Sequence, residues 1–253
     1  MDEKVLAWHF VAGRELRDGQ RLRRGLYRLP EGVKPVMCRV GFHASRRPLD
    51  ALFYAPGPVV FVCRVELSGR VIEHTDKLVA SECRVLWYAD ATSELYRFAV
   101  WCAERALRRE RAAGREPDAR SWGVLNVTRR WIAGEASGGE LGAAAWAVRR
   151  AVHAVKEAAY AAAEAAGYSA QAAEYAAQAA RAAALAAAEA AGLPAELAAY
   201  AAADASAESA GYAAALRAAG DPYREDRAWT AAEVAVQAAQ NRRLTRLLLA
   251  LGP

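Results

Sequence analysis

The chain has 253 residues, enough for one large or two small domains with real cores, and a net charge of +5 in which arginine far outnumbers lysine. The opening MDEKVLAWHF is acidic at once, and no run of about 18 apolar residues is free of charge, so neither a secretory leader nor a membrane span is expected and the expected location is cytoplasmic. Cys38, Cys63, Cys83 and Cys102 are too widely spaced for paired-cysteine metal chemistry and are expected to be reduced and buried, while the mild basic excess permits nucleic-acid contact without demanding it.

In chain order, residues 4–10 (KVLAWHF) read as a first strand. The arginine-rich stretch 13–34 is broken by Gly13, Gly19, Gly25, Pro30 and Gly32, and holds only a short strand at Leu26–Leu29. Val36–Val40 is a candidate strand leading into Gly41-Phe42-His43-Ala44-Ser45. Pro48 then opens a short helix through Leu49, Leu52 and Phe53, closed by Pro56-Gly57-Pro58. Val59–Leu67 is the strongest strand, apolar at first and then alternating. A turn is expected at Ser68-Gly69, a return at Arg70–His74, and a last strand at Leu78–Trp87.

From Asp90 the apolar period changes from two to 3.6. With Asp90 or Thr92 as N-cap, Leu95, Phe98, Ala99, Cys102 and Leu107 share a helix face that ends at Gly114 and Pro117. A second helix from about Asp118 to Ala133 carries Trp122, Leu125 and Trp131 inward, and Gly134 and Gly138-Gly139 break it. Beyond Glu140 close to half the residues are alanine. Stops at Gly167, Gly192-Leu193-Pro194 and Gly220-Asp221-Pro222 predict four long helices in tight antiparallel connection. Tyr160, Tyr168, Tyr175, Tyr200 and Tyr212 are the expected spacers, and no short repeat is sustained. The expected fold is therefore α+β: a small mixed or antiparallel sheet module over 1–89, a transitional helix pair over 90–138, and an alanine-rich antiparallel helical bundle over 139–253.

Chemistry is sparse in the helical part. His153 is its one histidine and has no metal-ligand spacing around it, and no metal is expected. Arg105, Arg108, Arg109, Arg111, Arg115, Arg120, Arg129 and Arg130 make a dense basic stretch. It reads first as a solvated, ion-paired face and second as a phosphate- or protein-docking patch. The sheet module is richer: His9 in a strand, His43 at a strand end, Tyr54 on the short helix and Glu82 in the last strand.

Four segments together resemble the ADP-ribosyltransferase fold of the poly(ADP-ribose) polymerase type. Leu6-Ala7-Trp8-His9 is similar to that family's LWHG start. GFHASRRPLDALFY (41–54) is similar in length and ends to its G-(I/F)-Y-F-A…S-A-N-Y segment. VVFVCRVELSG (59–69) resembles the strand that follows, and Ser81-Glu82-Cys83-Arg84-Val85-Leu86 resembles the strand bearing the catalytic glutamate. The resemblance implies NAD as cofactor. His9 would bond the adenine-side ribose, Tyr54 would stack on the nicotinamide with His43 opposite, and Glu82 would hold the nicotinamide ribose and polarise the acceptor. A carboxylate there would stabilise the oxocarbenium charge that builds as the glycosidic bond breaks. Phe10 stands in place of that family's glycine, Ala51 in place of its serine, and the link from Gly69 to Glu82 is short, so the module is expected to be active or degenerate.

The segments GFHAS-PLDAL, DKLVA and VLWYADAT also resemble an uncharacterised domain family of actinobacterial and phage proteins whose members continue into alanine-rich helices. The run from Trp101 to Ala147 resembles helical proteins assigned to immunity. Three readings follow from residues and resemblances together. The first is an ADP-ribosyltransferase-like NAD-binding module fused to a helical interaction domain in a phage or genome-conflict setting. The second is a non-enzymatic phage- or immunity-type protein that binds a protein partner, or a second copy, through its helices. The third is a nucleic-acid-associated protein using Arg105, Arg108, Arg109, Arg129 and Arg130.

Overall fold

Period-two alternation places Val5, Ala7 and Val11 of β1 (Val5–Ala12) on one side of a sheet, directly opposite Leu67, Val65 and Phe61 of β4 (Val60–Glu73). The computed structural model describes residues 4–16, 21–55 and 60–253. Within it the chain divides into two units, one of residues 1–94 with 241–253 and one of residues 95–240. The sequence places 241–253 at the end of the helical segment; in the structure these residues join the sheet unit, where Asn241 Oδ1 accepts the Leu49 N–H at 3.1 Å.

Among the described residues the sheet unit has five strands, all pairings antiparallel: β1, β2 (Gly25–Arg28), β3 (Phe42–Ala44), β4 and β5 (Leu78–Asp90). Their order is β1-β4-β5-β2, with β3 on the same edge of β5 as β2 but further towards its start. Trp8 and Ser45 exchange both backbone hydrogen bonds, at 2.8 and 2.9 Å, so β3 continues onto β1 and the ring β1-β4-β5-β3 closes. Inside lie Val5, Ala7, Val11, Phe61, Cys63, Val65, Leu67, Leu78, Ala80, Cys83 and Val85. Closure leaves only short edges unpaired, which suits a sheet too small to cover both faces with helices. The short helix beside it among the described residues is α1 (Pro48–Phe53), with proline in its first turn as expected.

Three local expectations change. Ser68-Gly69 is not a turn: β4 runs on to Glu73, with a register shift between Ser68 and Val71 where Gly69 sits at φ +69°, and the reversal comes at residues 74–77. A bulge relieves the coiling of so long a hairpin without ending it, and from sequence it carries the same glycine signal as a turn. Val36–Val40 is a turn held by Val36 and Val40 bonding each other, not a strand. Pro56-Gly57-Pro58 and Val59 lie outside the described residues.

In the helical unit α2 runs Thr92–Ala112, its first residues belonging to the sheet unit, and Asp90 Oδ1 accepts the Thr92 N–H at 2.8 Å. Then come α3 (Ala119–Ile132), α4 (Gly138–Ala165), α5 (Ala170–Gly192), α6 (Ala195–Ala218) and α7 (Pro222–Leu249). Asp118 caps α3, and Ser137 with Glu140 forms a reciprocal capping box on α4. The buried stripe of α3 is Ser121, Val124, Leu125 and Thr128; Trp122 and Trp131 are only half-buried, contrary to expectation. Trp122 lies under the Arg111 guanidinium and Trp131 packs edge-on against Tyr96.

Alanine methyls pack where spacers were expected. Every buried residue of α5 is alanine, and the five tyrosines are half-buried or, at Tyr168, exposed. Each buried methyl contributes only about 0.8 kcal/mol, so many close contacts replace a few large ones. Gly211 of α6 is part of this economy of size, since a Cβ there would lie 2.6 Å from the Trp229 ring.

Candidate functional site

His9 stands directly opposite Cys63, which in turn faces Tyr88, so its side chain shares the interior row of the ring. Its ring N–H donates to the backbone of His43. Burial, with the nearby His43 adding to it, lowers the His9 pKa from 6.5 to about 4, and the ring is neutral at physiological pH. His43 is itself fixed from the other side. Its Nε2 accepts the Cys38 N–H at 2.9 Å and its Nδ1 lies 3.1 Å from the Gly41 carbonyl, which assigns the proton to Nδ1. Gly41, at φ +120°, makes this approach possible, because a Cβ there would meet Val79 at 2.6 Å.

Cys38 links the histidines to Tyr54. It has φ +62°, the one positive value among the described non-glycine residues, and it is exposed. Its thiol bonds the Lys77 ammonium, which also donates to the Tyr54 hydroxyl at 3.3 Å and stands 4.8 Å from that ring's centre. The Tyr54 hydroxyl donates to Asp76, raising the tyrosine pKa and lowering that of the aspartate. Hydrogen bonds to Cys38 and Tyr54 raise Lys77. The expectation that all four cysteines are buried therefore fails at Cys38, while Cys63, Cys83 and Cys102 are buried with thiol pKa values pushed up by desolvation. The only sequence hint was that Cys38 borders a glycine- and proline-broken stretch.

Glu82 stands apart from this chain of contacts. Its neighbours across the sheet are Ser68 and Arg28, and all three lie on the outer face, while adjacent Cys83 points inward. The Arg28 Nε donates to one carboxylate oxygen and the Ser68 hydroxyl to the other, both at 3.0 Å, and the Ser68 and Arg28 bonds hold the Glu82 pKa below its ordinary value. Gly69 underlies it, where any Cβ would strike Ser81. His9 inside the ring and Glu82 outside it do not face one cleft. The structure thus brings His9, His43 and Tyr54 into one connected network and leaves Glu82 out.

The arginines of 105–130 form an ion-paired face. Arg108 and Arg129 hold Glu104, Arg111 holds Glu116, Arg115 holds buried Glu110, Arg120 holds Asp118 and Arg130 reaches Glu140. Arg105 stacks on Trp101. Arg109 is half-buried against Ser206, and its partial burial, reinforced by Arg105, pushes its pKa down to about 10. The basic excess lies elsewhere: the sheet unit has 18 basic and 12 acidic residues, a net of +6, and the helical unit has 16 and 17, a net of −1.

Among the described residues no cluster of three or more histidine, cysteine or acidic side chains could share a metal ion, and no helix is long and apolar enough to cross a membrane. Compared with protein-family models, with curated proteins and with solved structures, the chain finds no match.

Proposed function

We propose that the protein is a non-catalytic binding protein: its basic sheet unit takes an anionic ligand, and its alanine-rich helical unit is scaffold and protein-binding surface. One observation carries this reading. The carboxylate that transfer chemistry needs, Glu82, is on the outer face and already engaged by Arg28 and Ser68, whereas the histidine that should share its substrate is neutral and inside the ring. A catalytic constellation needs its groups within hydrogen-bond reach of one reacting centre. Exposed Trp146, Tyr223 and Val234 give the helical unit apolar surface for a partner, which fits the genome-conflict setting that the resemblance implies. The test is nicotinamide release from NAD by the wild type and by Glu82→Gln. No release from either protein is expected, and turnover abolished by Glu82→Gln would overturn the reading.

A second reading is a degenerate ADP-ribosyltransferase-like module that binds NAD without turnover. It draws on the contacts running from His9 through His43, Cys38 and Lys77 to Tyr54. On this reading NAD raises the melting temperature, and Tyr54→Ala removes that rise while Glu82→Gln leaves it. No shift at NAD concentrations far above the physiological range would exclude it.

A further inference from the structure

We infer that the open hollow along the segment leading into β2 is a phosphate-binding site and that its ligand is the backbone of duplex DNA, recognised without regard to sequence. This deepens the binding-protein reading and rests on it. The hollow, about 450 Å³, is lined by Arg21, Arg23, Arg24, Gly25, Leu26 and Tyr27. All three arginines are exposed, and among the described residues none of the three is in an ion pair. That separates them from the arginines of 105–130, which are stacked, half-buried or held by carboxylates. Exposed guanidiniums without an ion-pair partner among the described residues present the forked donors that phosphate accepts.

Two details narrow the anion. The Tyr27 ring packs on Phe42 and on the ring interior, and its hydroxyl both accepts the Arg23 N–H at 2.8 Å and donates to the Arg23 carbonyl at 3.0 Å. It is thus held in place as a floor for the arginine row. Among the described residues the hollow offers arginine side chains as its charged donors, which suit phosphate oxygens. Arginine contact to phosphate is the sequence-independent term in duplex binding. The +6 charge of the unit, set against −1 on the helical unit, places the field that draws a polyanion on the same side of the molecule's division as the hollow.

The test uses the full-length chain, a fluorescent duplex of mixed sequence, and anisotropy at 50 and 200 mM salt. Three phosphate contacts predict a fall in affinity of about 40-fold between those concentrations. R21A/R23A/R24A should bind at least tenfold more weakly at 50 mM and lose most of the salt slope. R21K/R23K/R24K should keep most of the binding. R108A/R111A/R120A, which removes the same charge from the helical unit, should stay within about twofold of wild type, since these side chains are already paired. An unchanged melting temperature confirms that the variants fold. Absence of duplex binding, equal losses in the two alanine triples, or capture by anionic phospholipid vesicles but not by DNA would each overturn the site. In those cases, nicotinamide release still decides the broader reading independently.

Discussion

His9 makes the ring of strands sensitive to acid in a way that can be calculated. Its pKa is 6.5 in the unfolded chain and about 4 in the fold, because the ring is buried beside His43. Below 6.5 the unfolded chain takes up a proton that the fold refuses, so stability is full above that value and is lost as the pH falls towards 4. Between about pH 7.5 and 4.5 the loss is about 2.5 kcal/mol, an upper figure because part of the residue still meets water. That is a sizeable fraction of the stability of an ordinary domain. His9→Leu removes the titration and leaves the His43 backbone acceptor unsatisfied, a cost of about 1–3 kcal/mol at every pH. The expected result of urea unfolding is therefore a variant that is weaker at pH 7.5 but has a shallower pH profile. Carboxylates held low in the fold, such as Asp76 and Glu82, destabilise both proteins alike and cancel in the difference. The direct readout is the NMR titration of the His9 ring, which should stay neutral until about pH 4. A midpoint near 6.5, or identical pH profiles in the two proteins, would refute the placement of His9 inside the ring.

Of the four cysteines, only Cys38 should react rapidly with a disulfide reagent in the native protein, and the other three only after denaturation, since they are buried; no fast thiol, or two, would contradict the described environments. Gly211→Ala should lower the melting temperature. The helix gains about 1 kcal/mol from losing a glycine, but the new methyl lies 2.6 Å from the Trp229 ring and overpacking of that kind costs about 1–3 kcal/mol. A higher melting temperature would show that Trp229 can move aside.

Much of the architecture is local and was legible. The change of period at Asp90, the proline opening α1, and the glycine stops before α5, α6 and α7 all correspond to observed boundaries. Each depends on backbone preferences that act within a few residues. Where the reading differed, a local signal had two meanings. Gly69 marks a bulge as readily as a turn, and Trp122 can bury its ring against Arg111 as well as in a core. Among the candidate site residues, His9, His43 and Tyr54 join one network, but its other members Cys38, Asp76 and Lys77 come from turns and loop segments that carry no local signal.

Sequence alone determined that a strand-rich basic module precedes helices made largely of alanine, because alternation, helix propensity and charge are properties of short stretches. Only tertiary structure decided which side of the sheet each residue occupies. A strand's side chains alternate, so the register that sets His9 opposite Cys63 and Glu82 opposite Ser68 puts His9 inside the ring and Glu82 outside it. The same holds for charge. Composition reported a modest basic excess, but pairing across space engages Arg108, Arg111, Arg115, Arg120 and Arg129 of the helical unit with carboxylates and leaves Arg21, Arg23 and Arg24 beside β2 exposed.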